Sequence, residues 1–379
     1  MRYTFVFACL LSFIIFSSHV SYADINLQTV AKQAMVVDMQ TGSVIYSKNA
    51  DEKMPTSSMS KVMTMLVVFD ALKDGRLSLD DKLLVSTKAW KKGGSKMFVG
   101  EGTRVSVEDL IKGVIVQSGN DATIVLAEGL AGSEDAFVQL INQKAQEIGM
   151  DNSHFTNASG WPDPDHYSTP RDLMKMAIYL INNYPEYYHY YGIKEFTYSG
   201  IKQNNRNPLL YRNLGADGIK TGHTDIAGYG LIGTAIQDDR RVIMVLNGLE
   251  TDRQRRSEST RILAWVFNNT VNVNLFKETE IIDKVKVWLG KEYVSPVVTL
   301  QNFSTTVMKN DVDQIKATVI ANEPIAAPIT QGQELAKLRV EIPGNGVVDF
   351  PLYSARQVDE MNFLSKAVEK IRYSLSNAM

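Results

Sequence analysis

The sequence predicts an α/β (α+β) domain, an antiparallel sheet with a helical cluster, followed by a small all-β domain and a C-terminal amphipathic helix. Three observations lead there. Strand-like hairpins lie near both ends of the first segment, apolar helical patterns fill its middle, and short alternating runs replace both beyond about Leu275. With 44% hydrophobic and 22% charged residues the chain has the balance of a globular protein, and 379 residues exceed one ordinary compact domain.

The first hairpin is Ala34-Met35-Val36-Val37-Asp38-Met39, the turn Gln40-Thr41-Gly42 and Ser43-Val44-Ile45-Tyr46, and its place is at a sheet edge. After Pro55, Thr56 or Ser57 can cap a helix in which Met59, Val62, Met63, Leu66 and Val67 recur three and four apart. The run Val62 to Phe69 is apolar almost all round, which marks a buried central helix with Ser58 at its N-terminus. Helical patterns from Val107 to Val116 and from Asp121 to Leu130 flank the polar turn Gln117-Ser118-Gly119-Asn120. Residues 150 to 170, with Pro162, Pro164 and Pro170, form a long irregular stretch of the kind that often carries function. Helix returns from Arg171 to Asn182. Gly218 to His223, Gly228 to Ile236 and Arg241 to Leu246 make a meander, and Ser257 to Phe267 closes over the sheet as a helix.

The later runs, such as Val285 to Leu289 and Leu338 to Ile342 with the turn Gly344-Asn345-Gly346, read as the small β domain. The division expected is residues 1–23 leader, 24–274 first domain, 275–358 β domain and 359–379 amphipathic segment. In that segment Phe363, Leu364, Ala367, Val368, Ile371 and Leu375 fall three and four apart with Lys366, Lys370 and Arg372 between them, so the helix either lies on a membrane surface or packs on the β domain. Met1-Arg2, the apolar run Phe5 to Phe16 and the small-residue ending Ser21-Tyr22-Ala23 read as a secretory signal cleaved after Ala23, which makes the protein exported. The only cysteine, Cys9, lies inside that run, so the mature chain is expected to hold no disulfide, thiolate metal site or cysteine nucleophile. Arg2 is the leader's one charged residue, leaving 39 of 40 basic and all 42 acidic groups, a formal charge of −3 that gives no footprint for nucleic acid.

Three short words carry chemistry. In Ser58-Met59-Ser60-Lys61 a helix places the lysine amine on the serine's face, where it can take the hydroxyl proton, provided burial and a neighbouring cation such as Lys220 keep the amine partly neutral. Free N–H groups at the helix start point at Ser58, where oxyanion charge would develop. Ser118-Gly119-Asn120 adds a hydroxyl for proton relay and an amide for a substrate carbonyl. In Lys220-Thr221-Gly222, on a strand, Lys220 can hold an anionic end while Gly222 leaves room for an extended substrate. A second Ser-x-x-Lys, Ser199 to Lys202, lies in the alternating run Phe196 to Ile201, where residues three apart point to opposite faces, so Lys202 does not reach Ser199.

Ser-x-x-Lys, a Ser-x-Asn word and Lys-Thr-Gly together form the signature of penicillin-binding proteins and β-lactamases. With Gln117 to Ala122, Gly132 to Phe137 and Asp217 to Thr224, essentially the whole mature chain from Leu27 resembles the serine-type D-alanyl-D-alanine carboxypeptidases, the low-molecular-mass penicillin-binding proteins. The resemblance implies a β-lactamase/transpeptidase-like fold, a peptidoglycan stem peptide as substrate, β-lactam antibiotics as inhibitors, no cofactor or metal, and a periplasmic place on the outer face of the cytoplasmic membrane. It implies Ser58 as nucleophile, Lys61 as general base, Ser118 with Asn120 as the second wall, and Lys220 as carboxylate anchor. Thr221, Gly222 and His223 border the substrate, the backbone N–H groups of Ser58 and His223 form the oxyanion hole, and Arg255 stands near the terminal carboxylate.

Two rival readings differ in residues. A class A β-lactamase has Ser-Asp-Asn and a deacylating Glu with Asn four residues on. Here the word is Ser-Gly-Asn, and none of Glu128, Glu134, Glu147, Glu186 and Glu195 has Asn at that spacing. A wall-binding protein without turnover has no need of both Ser58 and Lys61.

Overall fold

The computed structural model describes residues 27–376; the leader expected over residues 1–23 lies outside them. The central sheet has five antiparallel strands in the order Val44–Lys48, Gln33–Asp38, Arg240–Leu249, Gly228–Gln237 and Ala216–Thr224. Its first hairpin sits at one edge, and the meander supplies the other three strands. Side chains alternate along Arg240–Leu249, so Ile243 and Val245 join the core beneath the helices while Val242, Met244 and Leu246 join the core on the opposite face. The helix Asp252–Asn269 covers that second face. It begins earlier than the apolar spacing indicates because Thr251 accepts the N–H of Gln254 as a cap.

The helix Lys61–Lys73 is the centre of the first core, buried along its length from Lys61 to Phe69. Around it lie Val107–Val116, Asn120–Ala131, Glu134–Glu147 and Pro170–Asn183. The last is capped by Thr169, which accepts from Asp172 N–H, and residues 148–169 run irregularly between two helices, as their prolines require.

The run Phe196 to Ile201 is not one strand. Glu195–Tyr198 and Ile201–Asn204 pair as a hairpin whose turn is Ser199-Gly200, both in left-handed backbone. Alternation over six residues hid a tight turn, because residue type alone does not show where a strand reverses. Lys202 still does not serve Ser199: its Nζ pairs with Glu195 at 2.8 Å, both side chains exposed.

The strand Thr270–Phe276 straddles the boundary expected at 274/275 and pairs with Phe303–Met308. Beside that pair a six-stranded sheet surrounds its own core of Val285, Leu338, Val340, Phe350 and Leu352. The two parts meet in a polar junction. Arg240 donates to the buried Asp38 carboxylate at 2.6 Å and to Thr270 O at 2.8 Å, and Asn272 Nδ2 reaches Asp38 Oδ1 at 2.9 Å. The terminal helix Phe363–Ser376 leaves its apolar side chains in solvent, from Ile371 at 63% to Phe363 at 84%, so its stripe is not packed on the β domain. Among the described residues no helix is long and apolar enough to cross a membrane.

Candidate active site

Ser57–Ser60 form one turn of 3-10 helix, and the α-helix proper starts at Lys61. Neither Thr56 nor Ser57 caps it. Ser57 takes a left-handed backbone with φ +45°, and Thr56 Oγ1 instead meets Ser60 Oγ, which meets His166 Nε2 at 2.7 Å. Ser58 therefore stands on a tight turn ahead of the helix rather than in its first turn, and is the half-exposed member of a buried segment.

Lys61 is 1% exposed, and its Nζ lies 2.8 Å from Ser58 Oγ, 2.7 Å from Asn120 Oδ1 and 2.7 Å from Ser159 O. Asn120 Nδ2 donates to Gly93 O at 2.8 Å, which sets the amide so that Oδ1 faces the lysine. Both carbonyl oxygens can only accept. A neutral amine has two N–H groups and one lone pair, so satisfying both carbonyls leaves the lone pair directed at the Ser58 hydroxyl. Burial, then the cations of Arg206 and Lys92, hold the Lys61 pKa well below that of a free amine.

Ser118 has φ +59°, and that turn aims its hydroxyl at Lys220, whose Nζ donates to Ser118 Oγ at 3.0 Å and to Thr221 O at 3.1 Å. Lys220 is also buried, and burial followed by Lys61, Arg206 and Arg255 lowers its pKa. Asn120, expected in the turn, opens the helix Asn120–Ala131.

The strand Ala216–Thr224 lies against the turn that bears Ser58, and this changes the reason for Gly222. A Cβ there would run into Ser57 Oγ, with Thr56 O at 2.9 Å and Met59 Cγ at 3.2 Å. The glycine permits the close approach of turn and strand rather than room for substrate. Thr221 is buried beside it, and His223 is exposed, its ring tilted 32° against that of Tyr229 with centroids 3.9 Å apart. Arg255 is 7% exposed; it lies 5.3 Å from the centre of the same Tyr229 ring and pairs with Asp252, while its Nε has no hydrogen-bond partner. Ser58, Asn120 and His223 line a cleft of about 340 Å³, and Arg255 is not among its lining residues.

Four further residues shape this cleft. Asp121, buried, accepts the backbone N–H groups of Met97 and Phe98, each at 2.8 Å, and holds the segment that follows Gly93. Asn157 Oδ1 accepts from Ser159 N at 3.1 Å and Trp161 N at 2.9 Å, a side-chain turn that delivers Ser159 O to Lys61. Arg206 donates to Ser95 Oγ at 2.6 Å and adds positive charge near both lysines. His166 fastens the irregular stretch to Ser60. Only Asp121 had a signal, as the residue after Asn120; the others belong to loops whose fold distance is invisible in the chain.

A sheet between two cores, with a half-exposed serine at a cleft backed by a buried lysine, defines the class of serine acyl-transfer enzymes. The comparisons with known proteins narrow it. Residues 19–251 match the family described as D-alanyl-D-alanine carboxypeptidase, and residues 272–360 match the domain described as penicillin-binding protein 5, C-terminal domain. D-alanyl-D-alanine carboxypeptidase DacC of Escherichia coli is 37% identical over 89% of this chain and 86% of its own, and DacA of the same organism is 33% identical over 92% and 91%. The crystal structure of carboxypeptidase DacD from Francisella tularensis superimposes with a TM-score of 0.81 at 31% identity, covering 91% of this chain and 97% of that one. Penicillin-binding protein D2 from Listeria monocytogenes, solved in its ampicillin-bound form, gives 0.58 at 32% identity over 63% of this chain and 98% of its own. The chain belongs to the D-alanyl-D-alanine carboxypeptidase family of serine-type hydrolases.

Proposed function

We propose that Ser58 is the nucleophile of a D,D-carboxypeptidase that removes the terminal D-alanine from peptidoglycan stem pentapeptides, and that penicillin acylates the same oxygen. The observation that carries this reading is the buried Lys61 amine 2.8 Å from the Ser58 hydroxyl oxygen. Lys61 takes the hydroxyl proton as Ser58 Oγ bonds to the carbonyl carbon of the penultimate residue. The C–N bond then breaks, the leaving amine of D-alanine receives a proton through Lys61 and Ser118, and water releases the acyl group from Ser58. Asn120 binds a substrate carbonyl by its amide; Lys220 and, less directly, Arg255 and Arg206 set the positive field for the terminal carboxylate, which Thr221 borders. The backbone N–H groups of Ser58 and His223 hold the oxyanion, each such donor being worth ~10²–10³ in rate.

Labelled penicillin followed by peptide mass spectrometry tests the assignment: an adduct on the peptide containing Ser58 is expected, and an adduct elsewhere or none overturns it. Rapid penicillin turnover without a stable adduct favours a β-lactamase. Equal hydrolysis of a D-Ala-D-Ala peptide by wild type and Ser58→Ala favours a wall-binding protein.

The proposal includes export to the periplasm and attachment of residues 359–379 to the membrane surface. The exposed apolar stripe with Lys366, Lys370 and Arg372 on the same helix supports it. Deleting residues 361–379 then moves the protein to the soluble fraction of fractionated cells, and an unchanged distribution refutes the anchor.

A further inference from the structure

We propose that Asp217 and Arg241 are positioning residues, whose ion pair locks the register of the edge strand Ala216–Thr224 and thereby delivers Lys220 to Ser118, where it anchors the terminal carboxylate of the substrate. The inference rests on the D,D-carboxypeptidase reading and names what holds its carboxylate anchor in place.

Near its start, the pairing of Ala216–Thr224 with Gly228–Gln237 changes register. Ala216 stands opposite Ala235 and Gly218 opposite Thr234, so Asp217 has no partner across the ladder and forms a bulge. Beyond it the strand alternates. Gly218 lies against Tyr188 and Tyr191, Lys220 reaches Ser118, and Gly222 meets Ser57 and Met59, so these three residues share one face. A slip of one residue would bring the uncharged Ile219 or Thr221 to Ser118 and turn the Lys220 ammonium away. The ladder alone opposes such a slip only weakly. Glycine-rich strands specify register poorly, and here Gly218 and Gly222 run against Gly228, Gly230 and Gly233, on an edge strand hydrogen-bonded on one side only.

Arg241 supplies the lock. It belongs to Arg240–Leu249, the strand on the far side of Gly228–Gln237, and its guanidinium reaches across that middle strand to the bulge. Nη1 and Nη2 donate to the two Asp217 carboxylate oxygens at 2.9 and 2.8 Å, a two-pronged pair that fixes direction as well as distance. Nη1 also donates to Thr234 Oγ1 at 3.0 Å, and Thr234 is the residue opposite Gly218. The offset between the two strands is thus clamped at the residue where it changes. Tyr188 closes the cluster: its hydroxyl donates to Asp217 Oδ1 at 3.0 Å and accepts from Arg241 Nη1 at 3.3 Å. With the Arg241 side chain 12% exposed, the pair is more than a solvated surface contact. Lys220, whose Nζ bonds to Ser118 and Thr221, lies three residues or ~10 Å farther along the strand, so the pair acts on it through the backbone.

The test uses the full chain and two thioester donors that differ only at the leaving end, N-benzoyl-D-alanyl-thioglycolate and its carboxamide. The good leaving group keeps both measurable, and kcat/KM reports the steps through acylation. In the wild type the carboxylate donor is expected to be favoured about tenfold, the worth of one charge-assisted hydrogen bond. Asp217→Asn and, separately, Arg241→Lys bring that ratio toward one. The ratio does not depend on the folded fraction, because both donors meet the same protein. Charge alone predicts otherwise: Asp217→Asn removes a negative charge and would raise the preference for an anion, while Arg241→Lys keeps the cation and would leave it unchanged. Tyr188→Phe strands no charge, should lower the ratio less, and decides the matter where neither ionic variant folds. A ratio that the variants raise or leave intact, or a wild type without preference, overturns the lock. Penicillin labelling in parallel separates the two inferences: labelling at Ser58 with unchanged ratios sinks the lock alone, whereas neither labelling nor hydrolysis sinks the carboxypeptidase reading and the lock with it.

Discussion

His166 Nε2 stands 2.7 Å from Ser60 Oγ, so the irregular stretch of residues 148–169 is fastened directly to the turn that carries Ser58. Thr156 N–H donates to the other ring nitrogen, Nδ1, at 3.1 Å. The proton therefore sits on Nε2 and is given to Ser60. Burial first, against the opposing pull of Asp163, pushes the His166 pKa down to about 4. The neutral ring is the native form, and an unfolded chain at mildly acidic pH binds one more proton than the folded one. This stability is complete above the unfolded pKa of ~6.5 and is lost as pH falls toward about 4, on the order of 3 kcal/mol in all. Denaturant midpoints between pH 7 and pH 4.5 should fall more steeply for the wild type than for His166→Gln. Parallel pH curves would show that the ring titrates alike in both states.

Acylation by penicillin should rise with pH as Lys61 loses its proton, with a midpoint well below the usual lysine range. Lys61→Ala should lower the acylation rate by about 10²–10⁴, the usual share of general base catalysis. Arg206→Gln removes one of the cations that depress Lys61, so the amine keeps its proton to higher pH and the ascending limb moves to the alkaline side. Pre-steady-state acylation rates across pH measure this, and a limb that stays in place or moves to the acid side would exclude Arg206 as a tuning charge.

Gly160→Ala should be among the most damaging single substitutions. Gly160 has φ +74°, and an added Cβ would collide with the Ser57 carbonyl. Strain and collision act together, so a loss of at least about 3 kcal/mol is expected, with acylation falling because Ser159 O moves off Lys61. Thermal unfolding and penicillin labelling report the two effects, and near-normal values for both would mean that loop and turn are free to part.

At the junction of the two domains, Arg240→Met leaves the Asp38 carboxylate buried without its cation, at a cost of about 3–5 kcal/mol. Asp38→Asn with Arg240→Met should be less destabilised than Arg240→Met alone, since no buried charge is then stranded. A double-mutant cycle by chemical denaturation decides it, and simple additivity would show that the pair is not coupled.

Much of the architecture was legible locally. Alternation and β-branching identified the first hairpin and the meander, and the unbroken apolar run Val62 to Phe69 marked a helix surrounded on all sides, because both signals depend only on near neighbours. The same local basis explains the misses. The Ser199-Gly200 turn interrupts a run that alternates through it, and Ser57 leaves the helical path because a strand some 160 residues away presses on it through Gly222. Gly222 itself was identified as important for the wrong reason: the absence of a side chain was evident, but what lies opposite was not.

The residue types needed for acyl transfer, the order of the three words and the period of each surrounding element are properties of the chain, written in spacing and composition. Their convergence is not. Gln33–Asp38 lies beside Arg240–Leu249 only in the folded sheet, and Ser159, His166 and Arg206 reach the Ser58 cleft on loops, where long-range packing rather than periodicity sets the path. The depressed pKa of Lys61 follows the same rule, since removal from water and the approach of Arg206 arise from contacts between segments remote in the chain.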